Sequence, residues 1–180
     1  MRVGDYFDAL YCINLARRPD RWTKITDAFQ RACPGTTLTR IDAIDGKGLG
    51  RGSLESSGAM GCVLSHARAH ETILRDKPAR ALVLEDDVLV PDDLSLRIGR
   101  LVLAPDWDAI ILGRSRGWGA FAYGVTPRAS AIMLPRLQSA RTPADQVLLH
   151  ELPRLARVVE HHVFLHDYAM GSDIASRGRR

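Results

Sequence analysis

The feature that most constrains the fold is segment 81–88, in which four apolar residues run directly into Glu85, Asp86 and Asp87. An apolar run of this length is typical of a strand buried on both faces of a sheet. Ligands of open α/β sheets bind at the carboxyl ends of such strands. Three adjacent carboxylates repel one another unless a cation or solvent relieves the repulsion. The segment therefore predicts either a site for a hard divalent cation or a solvated acidic turn.

The rest of the chain alternates apolar runs with helix signals, and this alternation predicts an α/β domain with a mostly parallel sheet flanked by helices. Proline follows a capping residue at Thr126 and again at Thr142, a pattern typical of helix starts. The further strands are predicted at residues 9–15, 38–43, 107–112, 120–125 and 158–165. The helices are predicted to begin at Pro19, near Ala59 with Ser57 as cap, after Asp92 or Asp93, and after the two Thr-Pro pairs.

The loops that follow residues 15, 42 and 84 are expected to lie along one edge of this sheet. They carry Arg17 and Arg21, then Asp42 and Asp45, then the acidic run, and a glycine-rich loop follows the second of them. Carboxylates can hold a metal, and guanidinium groups bind phosphate through paired hydrogen bonds. This edge therefore predicts a site for a nucleotide diphosphate.

Composition narrows the class of protein. The 180 residues predict one domain, 1–176, followed by a disordered basic tail, 177–180, which accounts for much of the net charge of +4. The sequence does not interleave aromatic and basic residues, the pattern that would indicate a nucleic-acid partner. The three cysteines are odd in number and lack metal-type spacing, which favours a reducing compartment. Without a signal segment or an apolar span, the sequence predicts a cytoplasmic protein with at most peripheral association at the inner face of a membrane.

Eight short blocks occur in order along nearly the whole chain. They are Ile13-Asn14-Leu15 with Arg18-Pro19-Asp20-Arg21-Trp22, and residues 40–46, 58–66, 82–88, 107–113, 122–125, 143–146 and 171–174. Together they resemble the family 25 glycosyltransferases, the group of the lipooligosaccharide and collagen galactosyltransferases. The chain departs from the family pattern where only eight residues, 114–121, separate Gly113 from Ala122, so the acceptor class stays open.

The resemblance implies a GT-A type, Rossmann-like fold and the inverting transfer of a sugar, commonly galactose, from a UDP-sugar. The implied acceptor is a glycan or glycolipid such as lipooligosaccharide. It also implies a divalent metal cofactor, Mn²⁺ ahead of Mg²⁺, that joins the acidic motif to the donor diphosphate. A carboxylate on the other side of the sugar would take the proton from the acceptor hydroxyl.

Metal ligands are assigned from the acidic motif. Asp87 and Glu85 face the same side of an extended chain, because they are spaced by one residue. Asp87 is the predicted metal ligand, and Glu85 is expected to bind the metal, its bound water or the ribose of the donor. His166, followed by Asp167, is predicted to supply a further ligand. Asp86 faces the other way and is expected either to contact the donor or to pair with a basic neighbour.

The donor-binding residues follow from the first four blocks. Arg17 and Arg21 are expected either to hold the nucleotide or to form ion pairs with nearby acids. His66 is expected either to face the donor or to be a hydrogen-bonded core histidine. The predicted donor set is Asn14, Leu15, Arg17, Arg21, Asp42, Ser65, His66, Glu85 and Asp86.

Two carboxylates are candidates for the catalytic base. Asp145 is the first and Asp173 the second. An acid in the first helical turn after Thr142 also stabilises the helix dipole without any catalytic role, so a purely structural function for Asp145 stays open.

The same residues bear on other possible functions. A phosphoacceptor receiver domain is rejected, because it carries its acids on the first strand and needs an aspartate at a later strand end, whereas the strand at 109–113 ends without one. Two alternatives stay open. One is a nucleotide-sugar-binding relative without an acceptor site, and the other is an unrelated metal hydrolase that cleaves the donor.

Overall fold

The computed structural model describes residues 3–50, 52, 54–103, 106–114 and 119–171. Apolar runs form strands and amphipathic segments form helices, as the sequence predicts. The elements are α1 (Val3–Tyr6), β1 (Ala9–Asn14), α2 (Pro19–Ala32), β2 (Thr39–Asp42), α3 (Ser57–Asp76), β3 (Ala81–Glu85), β4 (Val88–Leu89), α4 (Leu94–Gly99), β5 (Ala109–Arg114), β6 (Ala120–Val125), α5 (Pro127–Ser139), α6 (Ala144–Gln146), β7 (Val158–Glu160) and β8 (Leu165–His166). A π-helical turn, Val147–Glu151, continues α6.

Six strands form one sheet in the order β2-β1-β3-β6-β5-β7. Strands β2, β1 and β3 are parallel, and β7 is parallel to β5. Within the described part of this sheet, only β6 runs antiparallel to its neighbours, β3 and β5. The sheet is therefore mostly parallel, as predicted, with one reversed strand that the sequence pattern did not identify.

Two layers of helices cover the sheet. Residues of α3, α5 and α6 form one apolar cluster with the side chains of one sheet face, and residues of α1, α2 and α4 form a second cluster on the other face. In β3, Ala81 and Val83 belong to the first cluster, and Leu82 and Leu84 belong to the second. All four are fully buried, which confirms that β3 is covered on both faces.

The helix starts differ from the predictions in detail. Helix α3 is capped by Ser56, whose hydroxyl accepts a hydrogen bond from Ala59 N–H at 3.1 Å, and not by Ser57. Thr126 caps α5 as predicted. The helix predicted after Thr142 begins at Ala144, with Pro143 in the cap position and no side-chain cap. No described helix combines the length and apolar character that crossing a membrane requires.

The single strand predicted at residues 158–165 is two strands. Strand β5 is bulged at Gly113, and beside this bulge the N–H groups of Val163 and Phe164 both bond to Leu112 O, at 2.7 and 3.0 Å. The chain then leaves the main sheet, and β8 pairs with β4. This departure places His166 opposite Val88, directly beside the acidic turn.

Candidate active site

A cavity of about 490 Å³ opens at the carboxyl ends of β1, β2 and β3. The register of the parallel strands brings these ends together, because Asn14 pairs with Asp42 and Ile13 pairs with Glu85. The predicted site residues that line the cavity are Leu15, Arg17, Arg21, Ser65, His66, Glu85, Asp86, Asp87, Asp145 and His166. Asn14 lies beneath the acidic turn instead, and Asp173 lies outside the described residues.

One wall of the cavity is the contact between α3 and the loop after β2. A Cβ atom on Gly61 would lie 2.6 Å from Ile44 O, and one on Gly46 would lie 2.1 Å from Ser57 O, so the two backbones touch directly. The Ser65 hydroxyl accepts from Ile44 N–H at 2.8 Å and donates to Gly61 O at 2.6 Å. Ser65 therefore joins the loop to the helix, a structural contribution that the donor-binding prediction did not anticipate.

The acidic turn is buried and internally paired. Strand β3 ends at Glu85, and Asp86 and Asp87 are each only 7% exposed. Asp86 accepts hydrogen bonds from Asn14 Nδ2 at 2.6 Å and from Arg21 Nη1 at 2.8 Å. Burial raises the pKa of Asp86, whereas these two hydrogen bonds lower it. Of the two roles expected for Asp86, the structure shows the pairing with a basic side chain, and it excludes a solvated turn.

Asp87 retains an unused ligand atom. Its Oδ2 lies 3.3 Å from Arg21 Nη1 and 3.4 Å from His166 Nε2. Its Oδ1 is buried and has no hydrogen-bond partner among the described residues, and the same holds for His166 Nδ1. The hydrogen bond to Asp87 raises the pKa of His166. Because buried polar atoms are rarely left without a partner, this pair fits a site that takes up a cation.

Asp167 was predicted beside His166 as a possible further ligand. Its carboxylate forms an ion pair with Lys24 and accepts from Ala169 N–H at 3.2 Å, and these bonds lower its pKa. It therefore caps the turn that follows β8. It does not line the cavity.

His66 begins a buried chain of hydrogen bonds. Its Nε2 lies 3.3 Å from Glu85 Oε1, and its Nδ1 lies 2.8 Å from the Tyr123 hydroxyl. That hydroxyl lies 3.3 Å from His70 Nε2, and His70 Nδ1 lies 3.0 Å from Ser130 Oγ. Burial lowers the pKa of His70 to about 3, so this ring is neutral at pH 7. His66 is thus a hydrogen-bonded core histidine, one of its two expected roles, and it also lines the cavity.

Asp145 enters the cavity from α6. Its two carboxylate oxygens accept from the backbone N–H groups of Gly119 and Gln146, each at 2.9 Å. The bond to Gln146 stabilises the short helix, which is the structural role expected from sequence. The bond to Gly119 joins α6 to β6, and it holds the carboxylate in a fixed orientation at the cavity wall.

The remaining basic and acidic predictions lie at the rim. Arg17 pairs with Asp45 at 2.7 Å. The pKa of Asp45 is lowered by the backbone hydrogen bond from Lys47 and by Arg17. Asp42, predicted to bind the donor, does not line the cavity, because its exposed carboxylate turns toward Arg40 at 3.3 Å.

Sequence reasoning missed three residues of the site. Cys62 was dismissed because the cysteines lack metal-type spacing among themselves, yet it lies one helical turn before His66, and an i, i+4 search across residue types identifies the pair. Tyr123 lies in the family block 122–125, but no role was assigned to it, because its role depends on the buried chain of hydrogen bonds. Tyr168 lines the cavity mouth with 73% exposure and packs on His166, with ring centroids 4.5 Å apart.

Comparison with known families matches the first part of the chain. The sequence model of Glycosyltransferase family 25 (LPS biosynthesis protein) matches residues 7–106. This range includes β1 to β4 and the acidic turn, and it ends before β5. The match thus covers the end of the cavity that holds the acidic turn, and it does not include Asp145.

Curated relatives match a similar part. The chain is 31% identical over 134 residues to the probable inactive glycosyltransferase 25 family member 3 of Rattus norvegicus, covering 61% of this chain and 23% of the relative. It is 25% identical over 134 residues to procollagen galactosyltransferase 2 of Homo sapiens, covering 61% of this chain and 21% of the relative. The chain therefore spans about a quarter of the length of these relatives.

A solved structure shares the fold over most of its length. It is the crystal structure of a glycosyltransferase involved in the glycosylation of the major capsid of PBCV-1, with a TM-score of 0.56 and 13% identity. The alignment covers 88% of this chain and 92% of that one. The mostly parallel sheet flanked by helices is thus a glycosyltransferase fold of the GT-A, Rossmann-like type.

Proposed function

This chain belongs to glycosyltransferase family 25, and from that premise we propose that it transfers a hexose from a UDP-sugar to a hydroxyl of a glycan or glycolipid. The transfer proposed is metal-dependent and inverting, with galactose as the sugar and a lipooligosaccharide-type glycan as the acceptor. One observation carries the proposal most directly. A single cavity contains both the buried acidic turn of β3 and Asp145, which comes from a separate element.

The acidic turn supports metal-dependent donor binding. Arg21 is shared by two buried carboxylates, Asp86 and Asp87, and Glu85 adds a third carboxylate at the same strand end. A group of acidic side chains of this kind suits a divalent cation. The partnerless Asp87 Oδ1 supports the same conclusion. Asp87 and Glu85, with His166, would hold the ion, and Mn²⁺ accepts this mixture of oxygen and imidazole ligands better than Mg²⁺ does. When bound, such an ion neutralises charge on the leaving diphosphate.

Arginines at the cavity have separate tasks in this proposal. Arg21 holds Asp86 and Asp87 in position and is itself only 3% exposed. Arg17 lies at the rim, and its guanidinium can exchange Asp45 for a donor phosphate with little cost, because both partners are partly exposed. The donor diphosphate is therefore expected between Arg17 and the acidic turn.

Asp145 is proposed as the general base. Its two backbone hydrogen bonds fix the carboxylate, and a positioned base of this kind contributes about 10²–10⁴-fold to a rate. In an inverting reaction the acceptor oxygen attacks the anomeric carbon as the bond to the diphosphate breaks, and its proton passes to the Asp145 carboxylate. Asp173 remains the second candidate from sequence.

The test combines donor binding with turnover. Isothermal titration calorimetry with UDP-galactose, UDP-glucose and UDP-N-acetylglucosamine should show binding with Mn²⁺ and none with EDTA. Release of UDP should then require an acceptor, and the anomeric configuration of the product should be opposite to that of the donor. Retention of configuration would contradict inversion. Equal UDP release without an acceptor would identify a hydrolase instead.

The similarity to relatives named inactive supports a second candidate, a nucleotide-sugar-binding protein without transfer. This candidate predicts metal-dependent donor binding with no UDP release for any acceptor in a panel of lipooligosaccharide cores and procollagen peptides. Replacing Asp145 by Asn would then change nothing measurable. The same assays therefore separate the two functions.

A further inference from the structure

A second set of metal ligands lies on the cavity wall beside the acidic turn. Cys62 and His66 lie one turn apart on α3, and Glu85 faces them from the end of β3. One ligand atom from each lies within 4.8 Å of the other two. In a tetrahedral zinc site the ligand atoms are roughly 3.3–3.8 Å apart, by the usual metal–ligand distances. The His66 Nε2 to Glu85 Oε1 distance of 3.3 Å is already that of two zinc ligands, and Cys62 Sγ lies within 4.8 Å of both groups.

We propose that Cys62, His66 and Glu85 form a Zn²⁺ site whose fourth position opens into the cavity. A thiolate, an imidazole and a carboxylate are ligands that zinc prefers, whereas Mg²⁺ and Mn²⁺ prefer oxygen. Three protein ligands and one open position form an open site rather than a closed structural one. As the S–Zn bond forms, the Cys62 proton is released to solvent.

The hydrogen-bond chain behind His66 supports this assignment. A metal on Nε2 requires the proton on Nδ1, which then donates to the Tyr123 hydroxyl. That hydroxyl donates to His70 Nε2, and His70 Nδ1–H donates to Ser130 Oγ. Without metal, every hydrogen bond in this series can reverse its direction, so that His66 Nε2–H donates to Glu85. No buried group loses a partner in either direction, and such outer contacts orient the ligand ring.

The shared ligand has a functional consequence. Glu85 belongs to this site and also to the acidic turn. When Glu85 binds zinc here, it is no longer available as a ligand for the metal at the acidic turn. Zn²⁺ is therefore expected to weaken metal-dependent binding of a UDP-sugar. This consequence rests on the proposed function, whereas the zinc site itself does not.

The test of the site uses Co²⁺ as a spectroscopic substitute for zinc. Titration of the full chain should give thiolate-to-cobalt charge-transfer absorption and the strong visible bands of four-coordinate Co²⁺, and Zn²⁺ should displace both. Cys62→Ser should abolish the thiolate band. Cys33→Ser should retain it, because Cys33 is a buried cysteine that follows α2 and belongs to the apolar cluster on the opposite face of the sheet from α3. Tyr123→Phe should weaken zinc binding by about 10-fold or more.

Two results would overturn the site. One is the absence of a thiolate band in the wild type, and the other is a band that survives in Cys62→Ser. If circular dichroism shows that Cys62→Ser is unfolded, Glu85→Gln decides, since it must weaken cobalt binding and alter the visible bands while the thiolate band persists.

A second measurement separates this inference from the proposed function. Asp87→Asn should keep the cobalt spectrum and lose UDP-sugar binding with Mn²⁺. In Cys62→Ser, the ratio of donor affinity with and without added zinc should move to one. A normal cobalt spectrum in a chain that binds no UDP-sugar would refute the proposed function alone. Donor binding in a chain without a thiolate band would refute the zinc site alone.

Discussion

The two ends of the cavity hold their carboxylates in different ways. At the acidic-turn end, Asp86 and Asp87 are buried, and their partners are side chains from distant parts of the sequence, Asn14, Arg21 and His166. At the other end, Asp145 is held by two backbone N–H groups. The side-chain pairing leaves Asp87 Oδ1 without a partner among the described residues, an atom that a cation can take up, whereas amide bonds orient a carboxylate without neutralising it. The first arrangement suits metal binding and the second suits a base.

The largest expected effect is at the acidic-turn end of the cavity. Asp87→Asn should leave no measurable Mn²⁺-dependent binding of UDP-sugar by calorimetry, and transfer should fall to background, because the partnerless oxygen loses its charge. Asp92→Asn, at an exposed acid outside the cavity, is the matched control and should bind as the wild type does. Unchanged affinity in Asp87→Asn would show that no metal is bound through this carboxylate.

The next largest effect is confined to the other end of the cavity, at Asp145. Asp145→Asn should reduce transfer by about 10²–10⁴-fold, the usual contribution of a positioned base, while donor affinity changes little. Radiolabelled transfer and calorimetry on the same preparation measure both. If transfer survives and donor binding is lost, the two ends have been assigned the wrong way round.

A third variant tests the charge balance of the acidic turn through stability. Arg21→Met leaves the buried Asp86 without its cationic partner and Asp87 with His166 alone, and removing one member of a buried pair costs about 3–5 kcal/mol. Urea unfolding measures this loss. Arg114→Met, which removes the surface pair with Glu160, should cost far less.

Adding Asp86→Asn to Arg21→Met sharpens the same test, because it removes the charge of a buried carboxylate that has lost its arginine partner. The double variant should be more stable than Arg21→Met alone. A double variant that is less stable would show that packing of the arginine, rather than charge, stabilises the turn.

The smallest effect concerns pH and the histidines behind the cavity wall. The pKa of His70 is about 3 in the folded state, below its ordinary value of about 6.5, so the unfolded chain binds a proton that the folded chain does not. This contribution to stability is present above about pH 6.5 and is lost as pH falls toward 3, by about 1.4 kcal/mol per pH unit. Urea unfolding at pH 7, 6 and 5 should show the slope in the wild type and a smaller one in His70→Gln. His162→Gln, at an exposed histidine, should keep the wild-type slope.

Local sequence was sufficient for much of the fold. The apolar run of β3, the start of α2 at Pro19 and the Thr126 cap are set by neighbouring residues, and each was predicted. Errors arose where distant groups intervene. The split of the last strand follows from the bulge in β5, and the reversal of β6 follows from its pairing with both β3 and β5.

What the sequence by itself determined is the order of strands and helices, the acidic end of β3 and the family blocks around it. Only the tertiary structure decided which acids are engaged and which retain a free ligand atom. Asp86 is paired through Arg21, 65 residues away, and through Asn14, 72 residues away, while Asp42 turns out of the cavity and Cys62 turns into its wall. The physical reason is that periodicity depends on adjacent residues, whereas charge partners and burial depend on contacts that only folding creates.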